Sequence, residues 1–151
     1  MTKLIYDFIV CSMATLFFAI LFRTPKKAIP AAAVMGGLGY VVYDLTYASI
    51  SLMMGYFFGT LFSSVFAEIM ARIQKMPAII FITPAIIPLV PGVGLYHTMR
   101  YFVNGESALG MAKCVETLAC AGVMAVAIAL PAMMIRVFNA RKEMRKSKIA
   151  K

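Results

Sequence analysis

Acidic side chains are scarce in this chain: six aspartates and glutamates in 151 residues, against fifteen lysines and arginines. Histidine occurs once and cysteine three times. These shortages exclude several functions. Cys11, Cys114 and Cys120 form no CxxC and stand beside no cluster of histidines or carboxylates, so they read as small apolar residues in helices, not as metal or redox ligands. No two carboxylates have a spacing that argues for hydrolysis, and no nucleophile, base and orienting group can be assembled around one histidine. The expectation is a protein that is not an enzyme and needs no metal or cofactor. Long polar stretches are missing as well. The connections RTPKK, ARIQKMP and VNGESALGMAKCVE, and a turn around Ala48–Ser49, leave no room for a soluble domain between the apolar runs.

What the chain does have is apolar surface. Hydrophobic residues make up 62% of it, whereas soluble domains run at about 45–50%. The bilayer is then the expected solvent, and an all-α integral membrane protein the expected fold. Runs of about twenty apolar residues fall at 4–22, 28–47, 50–70, 78–102 and 117–137, followed by a basic tail at 139–151. The N-terminal run has one basic residue before it, Asp7 within it and no clear small-x-small cleavage site, so it is expected to be a retained span and not a signal peptide. Twelve of the fifteen basic residues lie in the first and third connections or from Arg136 onward. The other side holds only Lys3, Arg100 and Lys113. By the positive-inside rule this predicts five helices with the N-terminus outside and the C-terminus cytoplasmic. Nucleic-acid binding is not expected, because no basic face is interleaved with aromatics in a soluble fold.

Helix contacts in lipid depend on small residues and polar pairs. Gly55-x-x-x-Gly59-x-x-x-Ser63 in the third span, and Gly36, Gly37 and Gly39 in the second, read as packing ridges. Glu68 and Arg72 have the spacing of a structural ion pair, and Lys3 and Asp7 that of an interfacial anchor. Asp44 either faces solvent or lines a polar path. Tyr6, Tyr40, Tyr43, Tyr47, Tyr96 and Tyr101 fall near the predicted outer face, as an aromatic belt or as the wall of a vestibule.

The fourth run, ITPAIIPLVPGVGLYHTMRYF, carries Pro84, Pro88 and Pro91, then Gly92 and Gly94, then His97 and Arg100. Each proline removes the hydrogen bond to the carbonyl four residues earlier, that of Ile80, Pro84 and Ile87 in turn. These positions share one helix face, so three freed oxygens are expected on one stripe. After the break, the N–H groups of Val93, Gly94 and Leu95 start a second half-helix without internal acceptors. Orphan groups of this kind are tolerated in a membrane where they face protein or a wet cavity. A helix broken near the midplane is a recurring way to build a transport site, with carbonyls for a cation and a helix start for a carboxylate. The plainer reading is a kink that only shapes the bundle, for which one proline would suffice. His97 lies about 10 Å beyond the break by helical rise and is the expected proton carrier. Arg100 reads equally as a snorkelling anchor or a substrate attractor.

At TPAIIPLVPGVGLYHTMRYFVNGE, through Pro84, Pro88, Pro91, Gly92, Tyr96 and Gly105, the sequence resembles the membrane domain of the threonine/serine exporter family. More narrowly it resembles the small subunit of the split, two-gene form. The resemblance implies a bacterial cell membrane and proton-driven export of threonine and serine or of dicarboxylates such as succinate. It also implies a larger membrane partner, with homo-oligomers left open. On it, Pro84, Pro88, Pro91, Gly92, Val93, Gly94 and Tyr96 are the expected substrate-binding residues, and His97, Arg100 and Asp44 the charge or proton sites. Two rival readings stand beside this one: a non-transporting scaffold subunit and an intramembrane enzyme.

Overall fold

The computed structural model describes the backbone of residues 2–149 and the side chains of residues 2–137. Among the described residues the chain is helical throughout, without strands. Six α-helices follow one another: α1 (Thr2–Leu21), α2 (Ile29–Ser49), α3 (Leu52–Gln74), α4 (Ile79–Ile86), α5 (Gly92–Val103) and α6 (Ser107–Ile149). A single 3-10 turn, Ile87–Leu89, extends α4, and α5 leaves it at an angle of 48°. Helices α1, α2, α3 and α6 are each long and apolar enough to cross a membrane, and the bent pair α4–α5 meets the same criterion only when its two halves are taken together, as a broken span or a re-entrant loop.

Close contacts give the directions. The space beside Gly36 and Gly37 of α2 is taken by Thr15 and Ser12 of α1, so these helices run antiparallel. Gly39 meets Ser63 and Gly55 meets Tyr43 and Tyr47, which makes α2 and α3 antiparallel too. A Cβ at Gly59 would lie 2.9 Å from the carbonyl oxygen of Gly39, so two backbones touch where these ridges cross. That approach is open only to glycine and gives the dispersion and polar contact that lipid does not compete for. The Ser64 hydroxyl donates to the Ile128 carbonyl at 3.3 Å, joining α3 to α6, while α5 folds back on α6 with Gly94 against Thr117 and Phe102 against Gly110.

One end of the bundle therefore carries the α1–α2 and α3–α4 connections, and the other carries the α2–α3 and α5–α6 turns. At the first end α1 and α3 stop on left-handed residues, Arg23 and Lys75, each at φ 54°. The following amides reach back five residues, Thr24 to Ala19 and Met76 to Ala71, both at 2.9 Å, which satisfies carbonyls that the helix end leaves open.

Three expectations need correction. The stretch 103–116 is not an extended connection: α6 begins at Ser107, with the Gly110 amide donating to the Glu106 carbonyl at 2.9 Å. Lys3 does not pair with Asp7; its ammonium lies 3.0 Å from the Asp44 carboxylate, because antiparallel packing brings those two helix ends together. Glu68 and Arg72 make no ion pair within 4.0 Å, although the spacing permits one. The side chains of the tail expected at 139–151 lie outside the described residues.

Candidate substrate site

The break in the fourth crossing is less exposed than its prolines imply. Ile87 donates its amide to the Pro84 carbonyl, and Val90 donates to the Ile87 carbonyl at 3.1 Å. The 3-10 turn thus recaptures two of the three oxygens that the prolines release, since an i to i−3 bond replaces the missing i to i−4 bond. The expected stripe of three bare carbonyls does not form.

The other side of the break differs. Gly92 donates back to the Val90 carbonyl at 2.7 Å, and Leu95 to the Pro91 carbonyl at 3.2 Å. Between them, the amides of Val93 and Gly94 have no backbone acceptor among the described residues. Both residues line a cavity of about 420 Å³ bordered by the end of α2, the start of α3, the 3-10 turn, α5 and the first turns of α6. The positive end of α5 is aimed at this space.

Four tyrosines form one wall. The Tyr43 ring lies 5.4 Å from Tyr40, 6.0 Å from Tyr47, which it stacks on, and 4.8 Å from Tyr56. All four border the cavity. Tyr40 and Tyr43 are thus half-buried wall residues of this cavity, whereas Tyr47, which also borders it, is exposed like Tyr6 and Tyr96. The opposite wall comes from α6. Lys113 donates to both carboxylate oxygens of Glu116 at 2.9 Å, and the Thr117 hydroxyl donates to the Lys113 carbonyl at 2.7 Å. Thr117 packs where a side chain on Gly94 would sit, so the glycine lets α6 close directly on the α5 start.

Of the residues expected in the site, Pro88, Pro91, Val93, Gly94 and His97 border this cavity together. Pro84 is buried in the helix before the turn, and Gly92 faces open space. Tyr96 and Arg100 are exposed and do not border this cavity. Asp44 is held by Lys3 and does not border the cavity. Lys113, Glu116, Thr117, Cys120 and Tyr56 were absent from the expectation. The four on α6 are spaced i, i+3, i+4, i+7, the stripe of one helix face. That spacing is present in the sequence, but an ion pair within a short polar connection does not stand out there. Among the described residues no three His, Cys, Asp or Glu side chains come together to hold a metal.

The comparison with known families bears on this geometry. The family profile described as "Threonine/Serine exporter, ThrE" matches residues 7–134. The chain belongs to the threonine/serine exporter family. The match takes in every helix that borders the cavity, the Pro/Gly break included. This exporter-family chain is also similar to an uncharacterized protein of Haemophilus influenzae, 29% identical over 105 residues, which is 69% of this chain and 35% of the relative. It spans only about a third of that relative's length. No solved structure matches.

Proposed function

We propose that this chain is the small membrane subunit of a secondary-active exporter of threonine- or serine-like amino acids, driven by protons and acting with a larger membrane partner. One observation carries the reading. A single cavity joins two unpaired amides and an ammonium (Val93, Gly94, Lys113) to a carboxylate and an aromatic wall (Glu116 and the four tyrosines). A zwitterion has both complements. Its carboxylate takes the α5 start and Lys113, and its ammonium takes Glu116 and the tyrosine faces. Binding replaces the Lys113–Glu116 contact with two substrate contacts, so the empty site stays neutral.

A dicarboxylate suits the cavity less well, because its second carboxylate meets Glu116, and Arg100, the group that would favour a dianion, does not border it. His97, on the cavity wall, is the proton carrier in this reading. The site lies at the end away from Arg23, Lys26, Lys27 and Lys75, so the positive-inside rule makes it face outward. A relative that extends well beyond the shared region supports a second part to the transporter. Inverted halves suit alternating access.

The test is efflux of labelled threonine, serine and succinate from vesicles holding the partner with and without this chain. Export of the amino acids that needs both subunits, with succinate carried at least tenfold more slowly, is the expected result. Equal export without this chain would reduce it to a scaffold, and succinate carried fastest would refute the zwitterion site.

A further inference from the structure

A second cavity, of about 520 Å³, lies at the opposite end of the bundle, between α3, α4 and α6. It is bordered by Glu68, Arg72 and Arg136, none of which has an ion-pair partner within 4.0 Å among the described residues. It thus repeats the chemistry of the first cavity, cations and one carboxylate around a common space, here without the pair that neutralises the first. The two cavities are bordered by the same three stretches of chain. On α3, Tyr56 borders the first and Ser64 the second; on α6, Cys120 borders the first and Ile128 the second; on the broken crossing, Leu89 and Ile82 do the same. Eight residues of helix, about 12 Å, separate the cavities on α3 and on α6.

At sequence positions between those that border the two cavities, Thr60 on α3, Ala85 on α4 and Met124 on α6 are buried, at 0%, 0% and 6% exposure. Thr60 follows Tyr56 and precedes Ser64 by four residues, so all three share a face. Its hydroxyl is buried with no hydrogen-bond partner. An unmade bond of this kind is destabilising at a buried position and needs a reason. Met124, unbranched with three rotatable bonds, is the kind of side chain that clears a passage by changing rotamer.

We propose that the second cavity is the cytoplasmic loading site for the exported zwitterion, and that Thr60, Ala85 and Met124 are the gate between it and the outer cavity. The substrate carboxylate meets Arg72 and Arg136, its ammonium meets Glu68, and the Thr60 hydroxyl gains its partner from the substrate or its water during passage. Opening requires α3 and α6 to part at the Ser64–Ile128 contact. The proposal rests on the exporter reading above.

The test is a reversible lock. The chain with its partner is reconstituted as the double variant Ser64→Cys/Ile128→Cys, with the native cysteines replaced. Oxidation is expected to lower serine efflux at least tenfold and reductant to restore it, while serine added at the outer face still protects a cysteine at Val93 from alkylation. Either single variant should ignore oxidant. Efflux unchanged by a formed cross-link overturns the gate and leaves the exporter reading standing. No efflux in the reduced state of the single variants, with no outer protection, overturns both. A membrane-impermeant maleimide on Ala132→Cys gives a readout independent of transport. Reaction from the side of the basic connections alone supports the loading site, and no reaction from either side overturns it.

Discussion

Gly94 leaves no room for a side chain, because the hydroxyl of Thr117 already occupies the space 2.5 Å from where a Cβ would stand. Gly94→Ala is therefore expected to push α6 off the start of α5, at an overpacking cost of about 1–3 kcal/mol, and to weaken substrate binding with the fold intact. Thermal unfolding and substrate protection, measured together, check both parts. Glu116→Gln keeps the shape of the α6 wall but removes the partner for an ammonium. A lost charged hydrogen bond of roughly 1.5–3 kcal/mol corresponds to a ten- to hundredfold rise in KM for threonine; an unchanged KM would remove Glu116 from the site. His97 is a separate case, since its expected work is proton transfer and not affinity. His97→Gln should flatten the pH dependence of export while leaving binding at a fixed pH nearly untouched, and an unaltered pH profile would clear it of that role. The sequence made His97 and Gly94 conspicuous because each is odd within an apolar run. Lys113 and Glu116 gave no such contrast, since three residues apart in a short polar stretch they look like any solvated pair.

At the scale of the element, the informative feature is the division of labour within the broken crossing. Its position was legible, since three prolines and two glycines in eleven residues leave few other conformations. Its chemistry was legible only on one side. Reading each proline as one freed carbonyl ignores that the backbone can tighten into 3-10 geometry and bond i−3 instead, which Ile87 and Val90 do. No such repair reaches the amides of Val93 and Gly94, whose acceptors would have to lie in the preceding turn. The site is thus a donor site at the backbone, with acceptors coming from Glu116 and the tyrosines. The start of α6 is hidden in the sequence for a related reason: hydropathy finds lipid-facing helix, and a helical end that lines a polar cavity is too hydrophilic to register. Replacing Pro88 and Pro91 together with alanine supplies two amides that can continue α4 towards α5. The double variant is expected to gain helical signal by circular dichroism, lose the angle between the half-helices, and export at least tenfold more slowly. Undiminished export would mean that the break is dispensable.

Over the whole molecule, the two ends differ more in available charge than in charged residues. At the end holding the outer cavity, Lys3 is paired with Asp44 and Lys113 with Glu116, so two of its three cations are neutralised within the protein. At the other end Arg23, Lys26, Lys27, Arg72, Lys75 and Arg136 have no ion-pair partner within 4.0 Å among the described residues. Arg72 and Arg136 border the second cavity, and Arg23, Lys26, Lys27 and Lys75 remain available to anionic lipid headgroups, at about 1 kcal/mol for each. Folding therefore sharpens an asymmetry that the sequence already contained. If that asymmetry orients the bundle, a fluorescent protein fused after the last residue should fluoresce, and alkaline phosphatase fused in the α2–α3 turn should be active. Converting Arg23, Lys26 and Lys27 to glutamine while placing lysines at Ala48, Ser49 and Ile50 removes three free cations from one end and adds three to the other. The expected outcome is a mixed population in which both reporters lose signal. The same change should leave the Lys113–Glu116 cavity chemically intact, so export measured per correctly oriented molecule should hold steady. A fully retained orientation would mean that helix packing, and not loop charge, sets the direction in which the cavity faces.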